Sequence, residues 1–336
     1  MLSASSPLRA GVLGYGRMGR LRRALVEYTG EAEVVAICDP AGVADPRGAR
    51  VCPDLAALLD ENLDLLFVCA TPAVAPAATA AAIERGLHVF CEKPPARSLD
   101  ELRPVAAAAA RRPGLTLQYG FNHRRHRSVR MAREILAAGS LGRLVGMRGV
   151  YGRSVVGDPN DPTGGWRARP GDAGAGILLD QGIHLVDLVR LLAGPFDEVH
   201  AFVDDRTHGL ALEDNAWALV RAKSGVVAQL HSSATEWRHG FHLDLTLDRG
   251  SLHLDGLVTS TGAYAPERLV VRHRGTGTPG RPVEESYGFD ADPSFEEEVR
   301  EFVRAIRTGE PIGDGSLADA IAVMEAIDQI YRAARR

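Results

Sequence analysis

From Arg9 to about Asn122, short runs of Val, Leu, Ile and Phe alternate with longer alanine-rich stretches of helical character. That rhythm predicts a parallel sheet with crossover helices, since a strand covered on both faces reads as a short apolar run. The expected strands are Ala10–Leu13, Glu33–Asp39, Leu63–Ala70, His88–Glu92 and Leu115–Phe121. Helices are expected to start near Gly16, Ala75 and Ser98, with Gly30, Gly86 and Gly114 marking helix ends. After about His123 the rhythm changes. A helix over Ser128–Ala138 stops at Gly139, and strands then follow with only turns between them: Leu144–Tyr151, Glu198–Val203, Asn215–Ala222, Val226–Ser233, His242–Leu247, Ser251–Leu254 and Leu269–His273. The hairpin-length links Lys223-Ser224-Gly225 and Asp248-Arg249-Gly250 predict one broad, mostly antiparallel sheet. Helices over Ser294–Thr308 and Leu317–Ala334 close the chain, and Gly171–Gly176 and Gly275–Gly280 read as loops. The expected fold class is α/β. A doubly wound parallel sheet fills residues 1–123, and an α+β domain with a large, mostly antiparallel open sheet fills residues 124–336.

Composition narrows the function classes. With 45% hydrophobic and 24% charged residues in 336, the chain is an ordinary globular protein with enough length for a sizeable core. Lys and Arg number 39 against 43 Asp and Glu, a net charge of −4, so the basic excess of a non-specific nucleic-acid binder is missing. Neither a secretory start nor an apolar run of about 18 residues is found, so no membrane span is expected. Cys38, Cys52, Cys69 and Cys91 show no C-x-x-C spacing, and three of them fall in apolar runs. They read as reduced, buried thiols in a cytoplasmic enzyme.

Candidate chemistry starts at Gly14-Tyr15-Gly16-Arg17-Met18-Gly19, which follows the first strand and opens a helix. In that context G-x-G-x-x-G reads as a pyrophosphate cradle, with the glycines admitting the backbone and the helix-start amides binding the anion. Asp39 ends the second strand about 20 residues on, where an acid accepts hydrogen bonds from an adenosine ribose. The same acid would repel a 2′-phosphate, and Pro40-Ala41-Gly42 offers no basic side chain, so NAD is favoured over NADP.

Glu92-Lys93-Pro94 places Lys93 just past a strand, on the carboxyl side of the sheet where ligands bind in open α/β folds. There an ammonium can stabilise the oxygen of an alcohol becoming a ketone, although a lysine in a turn is also an ordinary surface residue. A second element, Gly174 to Asp187, reads as a glycine loop entering an apolar helix. Within it Asp180 and His184 are four residues apart, one face of a helix, so the acid can orient the imidazole or bind the same polyol. A histidine near neutrality can take a hydroxyl proton and return it; a self-satisfied core pair is the competing reading. No metal site is expected, because neither H-E-x-x-H nor a compact Cys/His cluster is present.

In order, these pieces resemble the Gfo/Idh/MocA oxidoreductases, which include glucose-fructose oxidoreductases, inositol dehydrogenases and nucleotide-sugar dehydrogenases. The resemblance runs nearly end to end. It rests on Gly14 to Gly19, Ala70-Thr71-Pro72 closing a strand, Glu92-Lys93-Pro94, Gly120-Phe121-Asn122, Gly139-Ser140-Leu141-Gly142, and Asp180 to His184. It implies a Rossmann domain joined to a domain whose open sheet forms a homodimer or homotetramer interface. It also implies that Lys93 contacts substrate and cofactor, that His184 is the proton acceptor or donor, and that Asp180 binds or orients. Thr71, Pro72 and Glu92 join the cofactor residues on the same footing. One departure is the wholly apolar Ala73-Val74-Ala75-Pro76, which puts polar cofactor contacts from that loop in doubt.

For the substrate, Asn122 and Arg124 in the run Gly120 to Arg127 are candidate contacts, while Arg125 and Arg127 read equally as solvated or acid-paired. Trp166 and Arg167 match a tryptophan-arginine loop that the resemblance places before the catalytic helix, and Trp166 offers a flat face to a sugar ring. The expected activity is hydride transfer between nicotinamide and a secondary alcohol or ketone of a sugar or cyclitol. The alternatives are a nucleotide-sugar dehydrogenase or ketoreductase, an NAD-dependent glycosidase using transient oxidation, and a nucleotide-sensing regulator. Retention of Lys93, Asp180 and His184 together argues against the last.

Overall fold

The computed structural model describes residues 6–154, 165–207, 209, 212–259, 261–274 and 282–335. The loop expected at Gly275–Gly280 and most of the irregular stretch before Trp166 lie outside the described residues. The chain forms two compact units. The first runs to Asn122 and adds residues 171–174 and 295–321; the second holds residues 123–170 and 175–294 and the chain from Ala322 on.

The N-terminal elements are β1 (Leu8–Leu13), α1 (Arg17–Thr29), β2 (Ala32–Cys38), β3 (Arg50–Val51), α2 (Leu55–Leu59), β4 (Leu65–Val68), α3 (Ala75–Glu84), β5 (His88–Cys91), α4 (Arg103–Arg111) and β6 (Leu117–Tyr119). Their strands form a parallel sheet in the order β3-β2-β1-β4-β5-β6. The order reverses between β1 and β4, the switch point outside whose carboxyl ends ligands bind. All four residues of β4 are buried, as the unbroken apolar run Leu65-Leu66-Phe67-Val68 requires of a central strand. Phe67 and Phe90 pack edge-on with Phe302, from the helix at Ser294–Thr308, at centroid distances of 5.7–6.0 Å. Two elements, β3 and α2, form where no pattern announced them. The helix expected at Ser98 instead begins as a 3-10 turn, Leu99–Leu102, ahead of α4, whose first turn takes Pro104.

The chain continues through α5 (Arg127–Ala138), β7 (Leu144–Ser154), α6 (Pro170–Ala173), α7 (Ile183–Ala193), β8 (Phe196–Asp204), β9 (Asn215–Ala222), β10 (Val227–Ser233), β11 (Thr235–Leu247), β12 (Gly250–Asp255), β13 (Glu267–Arg274), β14 (Pro282–Phe289), α8 (Ser294–Thr308) and α9 (Leu317–Ala334). The second unit's eight strands form one open sheet, β14-β13-β12-β11-β7-β10-β9-β8, in which only the β7–β10 pair is parallel. One face buries Met147, Leu230, Leu243, Leu245, Leu252 and Leu269, against which α5 and α7 pack. The other carries ion pairs such as Arg148–Asp244 and Arg272–Glu284, beside exposed Phe202 and Leu219. β14 was not expected, and β11 begins earlier than its apolar pattern, because Glu236–His239 bulge out between Thr235 and Gly240. Buried Glu267 ties α5 to the sheet, taking His126 Nδ1 at 2.9 Å and the Ser128 amide at 2.9 Å. Burial alone would raise the Glu267 carboxyl, but those bonds hold it below the ordinary range.

All four cysteines are free thiols. Among the described residues no helix is long and apolar enough to cross a membrane, and no group of three metal-ligating side chains occurs.

Candidate active site

In the first unit, β1 is followed by Gly14, whose φ of +84° suits glycine and whose Cβ, if present, would lie 2.5 Å from the Cys69 carbonyl oxygen. A Cβ on Gly19 would strike the Gly14 carbonyl, whereas one on Gly16 would meet nothing within 4 Å. The turn is therefore closed on its inner side and open on its outer side. Gly16 caps α1 without a side-chain hydrogen bond, so the first amides of a 13-residue helix remain for an anion. Asp39 Oδ2 accepts the Tyr15 amide at 2.5 Å and Oδ1 accepts the Ala41 amide at 2.8 Å. A carboxylate has about four acceptor sites, so this one keeps capacity for ribose hydroxyls. These residues fit a dinucleotide. Tyr15 is buried with its hydroxyl on Arg23, Arg17 is exposed, and Met18 is half-buried. The Thr71 carbonyl accepts the Val74 and Ala75 amides and so opens α3, with Pro72 buried beside it.

Lys93 follows β5 half-buried, and its bond to Pro94 is cis. Glu92, one of the expected cofactor residues, is buried. It accepts Arg22 Nε at 2.7 Å, and the fully buried Arg22 also binds Glu298 at 2.6 Å and stacks over the Phe90 ring at 4.2 Å. A carboxylate committed to a buried guanidinium supports the lysine loop from beneath.

In the second unit a Cβ on Gly176 would collide with the Glu213 carbonyl. Glu213 then ties down the loop, its Oε2 taking the Gly176 amide at 2.8 Å and its Oε1 the Leu178 amide at 3.2 Å and the Tyr331 hydroxyl at 2.6 Å. Burial pushes its carboxyl above the ordinary range despite these bonds. The segment that follows departs from expectation. Leu178–Gly182 is a π-helical turn, with α7 starting only at Ile183, so Asp180 and His184 straddle a junction rather than share one regular helix.

Asp180 Oδ2 receives Arg167 Nε at 2.9 Å and Arg153 Nη1 at 3.4 Å, and the Arg167 guanidinium lies 4.3 Å over the Trp166 ring. Three of the expected substrate residues, Trp166, Arg167 and Asp180, thus form one group. His184 is 4% exposed, and its ring stacks on His123 at 3.8 Å between centroids and 11° between planes. His123 Nε2 lies 3.0 Å from the Tyr151 hydroxyl, and Gln181 Nε2 donates to the Tyr264 hydroxyl at 2.6 Å. Burial raises the Tyr151 phenol far above its ordinary range and Tyr264 to about 12, so both stay neutral hydrogen-bonding groups.

Arg124, expected to meet substrate, has an internal partner. It is 1% exposed and grips Asp187 on α7 through Nε at 2.8 Å and Nη2 at 2.5 Å, a bidentate internal pair. Asn122 and Arg125 are buried as well. Trp237 stands 93% exposed on the β11 bulge, while His239 packs edge-on against Tyr264 at 4.9 Å. Sequence reasoning missed His123, Tyr151, Arg153, Gln181, Glu213 and Tyr264. Their partners lie tens of residues away, so although His123 and Gln181 stood in segments already singled out, nothing local marked their roles.

Comparison with known proteins agrees with this architecture. A family model described as an oxidoreductase family with an NAD-binding Rossmann fold matches residues 8–121, and one for the GFO/IDH/MocA C-terminal domain matches residues 129–253. The chain is 30% identical to a 1,5-anhydro-D-fructose reductase of Ensifer adhaerens over 273 residues, 80% of this chain and 78% of that protein. It is 29% identical to a D-xylose 1-dehydrogenase (NADP(+)) of Haloferax volcanii over 305 residues, 90% of this chain and 87% of that protein. A levoglucosan dehydrogenase solved with NADH shares the fold at a TM-score of 0.87 and 21% identity, covering 98% of this chain and 97% of its own. The chain belongs to the Gfo/Idh/MocA family and is an oxidoreductase with a nicotinamide-dinucleotide-binding Rossmann domain.

Proposed function

We propose that this enzyme interconverts a secondary hydroxyl and a ketone on the ring of a sugar or cyclitol, with NAD preferred over NADP. The observation that carries the reading is the polar turn in front of α7, where Asp180 is pinned by Arg167 and Arg153 and flanked by Gln181, with His184 a few residues on. Such a set of fixed acceptors and neutral phenols suits a ring bearing several hydroxyls.

A nicotinamide, when bound, supplies the hydride acceptor or donor. His184 takes the proton of the reacting hydroxyl, and the Lys93 ammonium hydrogen-bonds the same oxygen as its negative charge grows. Asp180 binds a neighbouring hydroxyl and fixes the ring's orientation. Asp39 selects the cofactor by accepting the ribose hydroxyls and repelling a 2′-phosphate. A nucleotide-sugar is the second reading, favoured because two guanidiniums, Arg167 and Arg153, gather at Asp180, and Arg is the side chain suited to bidentate contact with a phosphate.

Following nicotinamide absorbance over cyclitols, free sugars, sugar phosphates and UDP-sugars tests the proposal. Turnover of neutral rings is expected, with NAD bound about tenfold or more tighter than NADP and Asp39→Ala narrowing that gap. Turnover of UDP-sugars alone selects the second reading. Substrate consumed without net NADH would mean hydrolysis, and tighter NADP binding would remove the role given to Asp39.

We further infer a cytoplasmic homodimer or homotetramer, associated through the sheet face that exposes Phe202 and Leu219. Light scattering should return two or four times the mass of one chain, and a monomer at micromolar concentration would overturn this.

A further inference from the structure

The geometry points to His123 as a positioning residue for His184, a ring that fixes the plane of the proton-transferring imidazole by stacking on its face. This rests on the proton-transfer role proposed for His184. Offset or edge-on contact is the commoner arrangement of buried rings, and His126 and Phe241 meet His123 in that way, with the Tyr151 ring tilted at 50°. His126 meets it at 79° and Phe241 at 73°, at centroid distances of 5.3 and 6.1 Å. His184 lies nearly coplanar with it, at 11° and 3.8 Å.

His123 is itself held on its edge. Its Nε2 is 3.0 Å from the hydroxyl of Tyr151, whose ring is wedged at 90° against Phe241 and 68° against Tyr264. Both histidines are 4% exposed, so neither ring has room to swing into solvent. The support is needed because of what lies N-terminal to His184. The residue follows a π-turn, where the hydrogen-bond ladder is widened and a side chain is less firmly aimed by its own helix. A flat neighbour locked from three sides supplies the missing restraint, blocking one face of the imidazole and leaving rotation in its own plane to be set by its nitrogens' partners. Proton transfer is sensitive to such aim, since a displacement of about 1 Å costs about 10²-fold in rate.

The test pairs kinetics with histidine NMR. His123→Ala should lower kcat about 10- to 100-fold while leaving the NAD Kd unchanged, and His123→Phe, which keeps a flat ring but loses the bond to Tyr151, should recover most of that loss. In the spectrum of the unliganded protein, the His184 ring-proton signal, assigned by its absence in His184→Gln, should move downfield in His123→Ala as the ring-current shielding disappears. In His123→Phe it should stay shielded. Wild-type kcat and an unmoved His184 signal in His123→Ala would overturn the inference. So would an Ala variant that Phe fails to rescue although its His184 signal is again shielded. Near-normal turnover by His184→Gln is a separate failure, that of the proton-transfer reading, and the His184 signal still reports the stack in that case.

Discussion

His184→Gln should lower kcat on the true substrate by about 10² to 10⁴, the usual worth of a positioned proton acceptor. Glutamine matches the reach and hydrogen bonding of the imidazole but cannot take a proton, so the loss isolates transfer from binding. The site tolerates the change because His184 heads α7, where its neighbours Ile183 and Leu185 are fully buried and hold the helix regardless. NAD should bind with its wild-type Kd, since the cradle at Gly14 to Gly19 belongs to the first unit. Lys93→Met should cost about 10²- to 10³-fold, the scale of one lost donor at a developing oxyanion. The two variants should separate by pH. With the base gone, the acid limb of kcat flattens in His184→Gln, whereas Lys93→Met retains it at a lower plateau. Turnover within tenfold of wild type in either variant would remove that residue from the chemistry.

Much of the fold was legible because burial imposes a period. β4 and β5 are buried on both faces and announce themselves as apolar runs, and α8 and α9 were read at their observed ends because their apolar stripes repeat with the helical turn. Elements that bury little leave no such mark. β14, Pro-Val-Glu-Glu-Ser-Tyr-Gly-Phe, is an edge strand with nearly every side chain exposed, so nothing in its sequence alternates. β3 has two residues, both exposed. The π-turn at Leu178–Gly182 was read as plain helix, because an extra residue in one turn hardly disturbs an apolar pattern.

The candidate site divides along a similar line. What is local was visible: the glycine turn, Lys93 after its strand, and Asp180 with His184. What depends on tertiary contact was not. Glu213 reaches back 37 residues to the Gly176 amide, and the His123–His184 stack joins rings 61 positions apart. Arg124 shows what charge alone leaves open. A run of arginines looked like an anion site, yet Asp187 one turn beyond His184 neutralises Arg124 inside the unit.

Arg22→Met should destabilise the first unit by about 3–5 kcal/mol, the scale for removing one partner of a buried ion pair. Arg22 pairs with both Glu92 and Glu298, and both acids are nearly or wholly shielded from water. Burial alone would weaken its charge, but the two carboxylates more than compensate and hold the guanidinium firmly protonated. Methionine keeps the apolar packing against Phe90 and Phe295 while removing the guanidinium that the two buried carboxylates share. The sign of the pH dependence follows. Without that guanidinium the acids are buried more easily as neutral carboxyls, so the variant's native state binds more protons than its unfolded chain. Its deficit therefore shrinks as pH falls and grows as pH rises. Urea unfolding followed by far-ultraviolet circular dichroism, with hydrogen exchange of the β4 and β5 peptides, measures both effects. Adding Glu92→Gln and Glu298→Gln should restore most of the loss, because neutral amides need no counter-ion. A single variant within about 1 kcal/mol of wild type would mean that water or a rearranged neighbour reaches the acids. The cluster also bears on chemistry, since Glu92 immediately precedes Lys93 and Arg22 is what holds it. Loosening that anchor should lower kcat more than it weakens NAD binding, linking the stability of the first unit to the aim of its lysine.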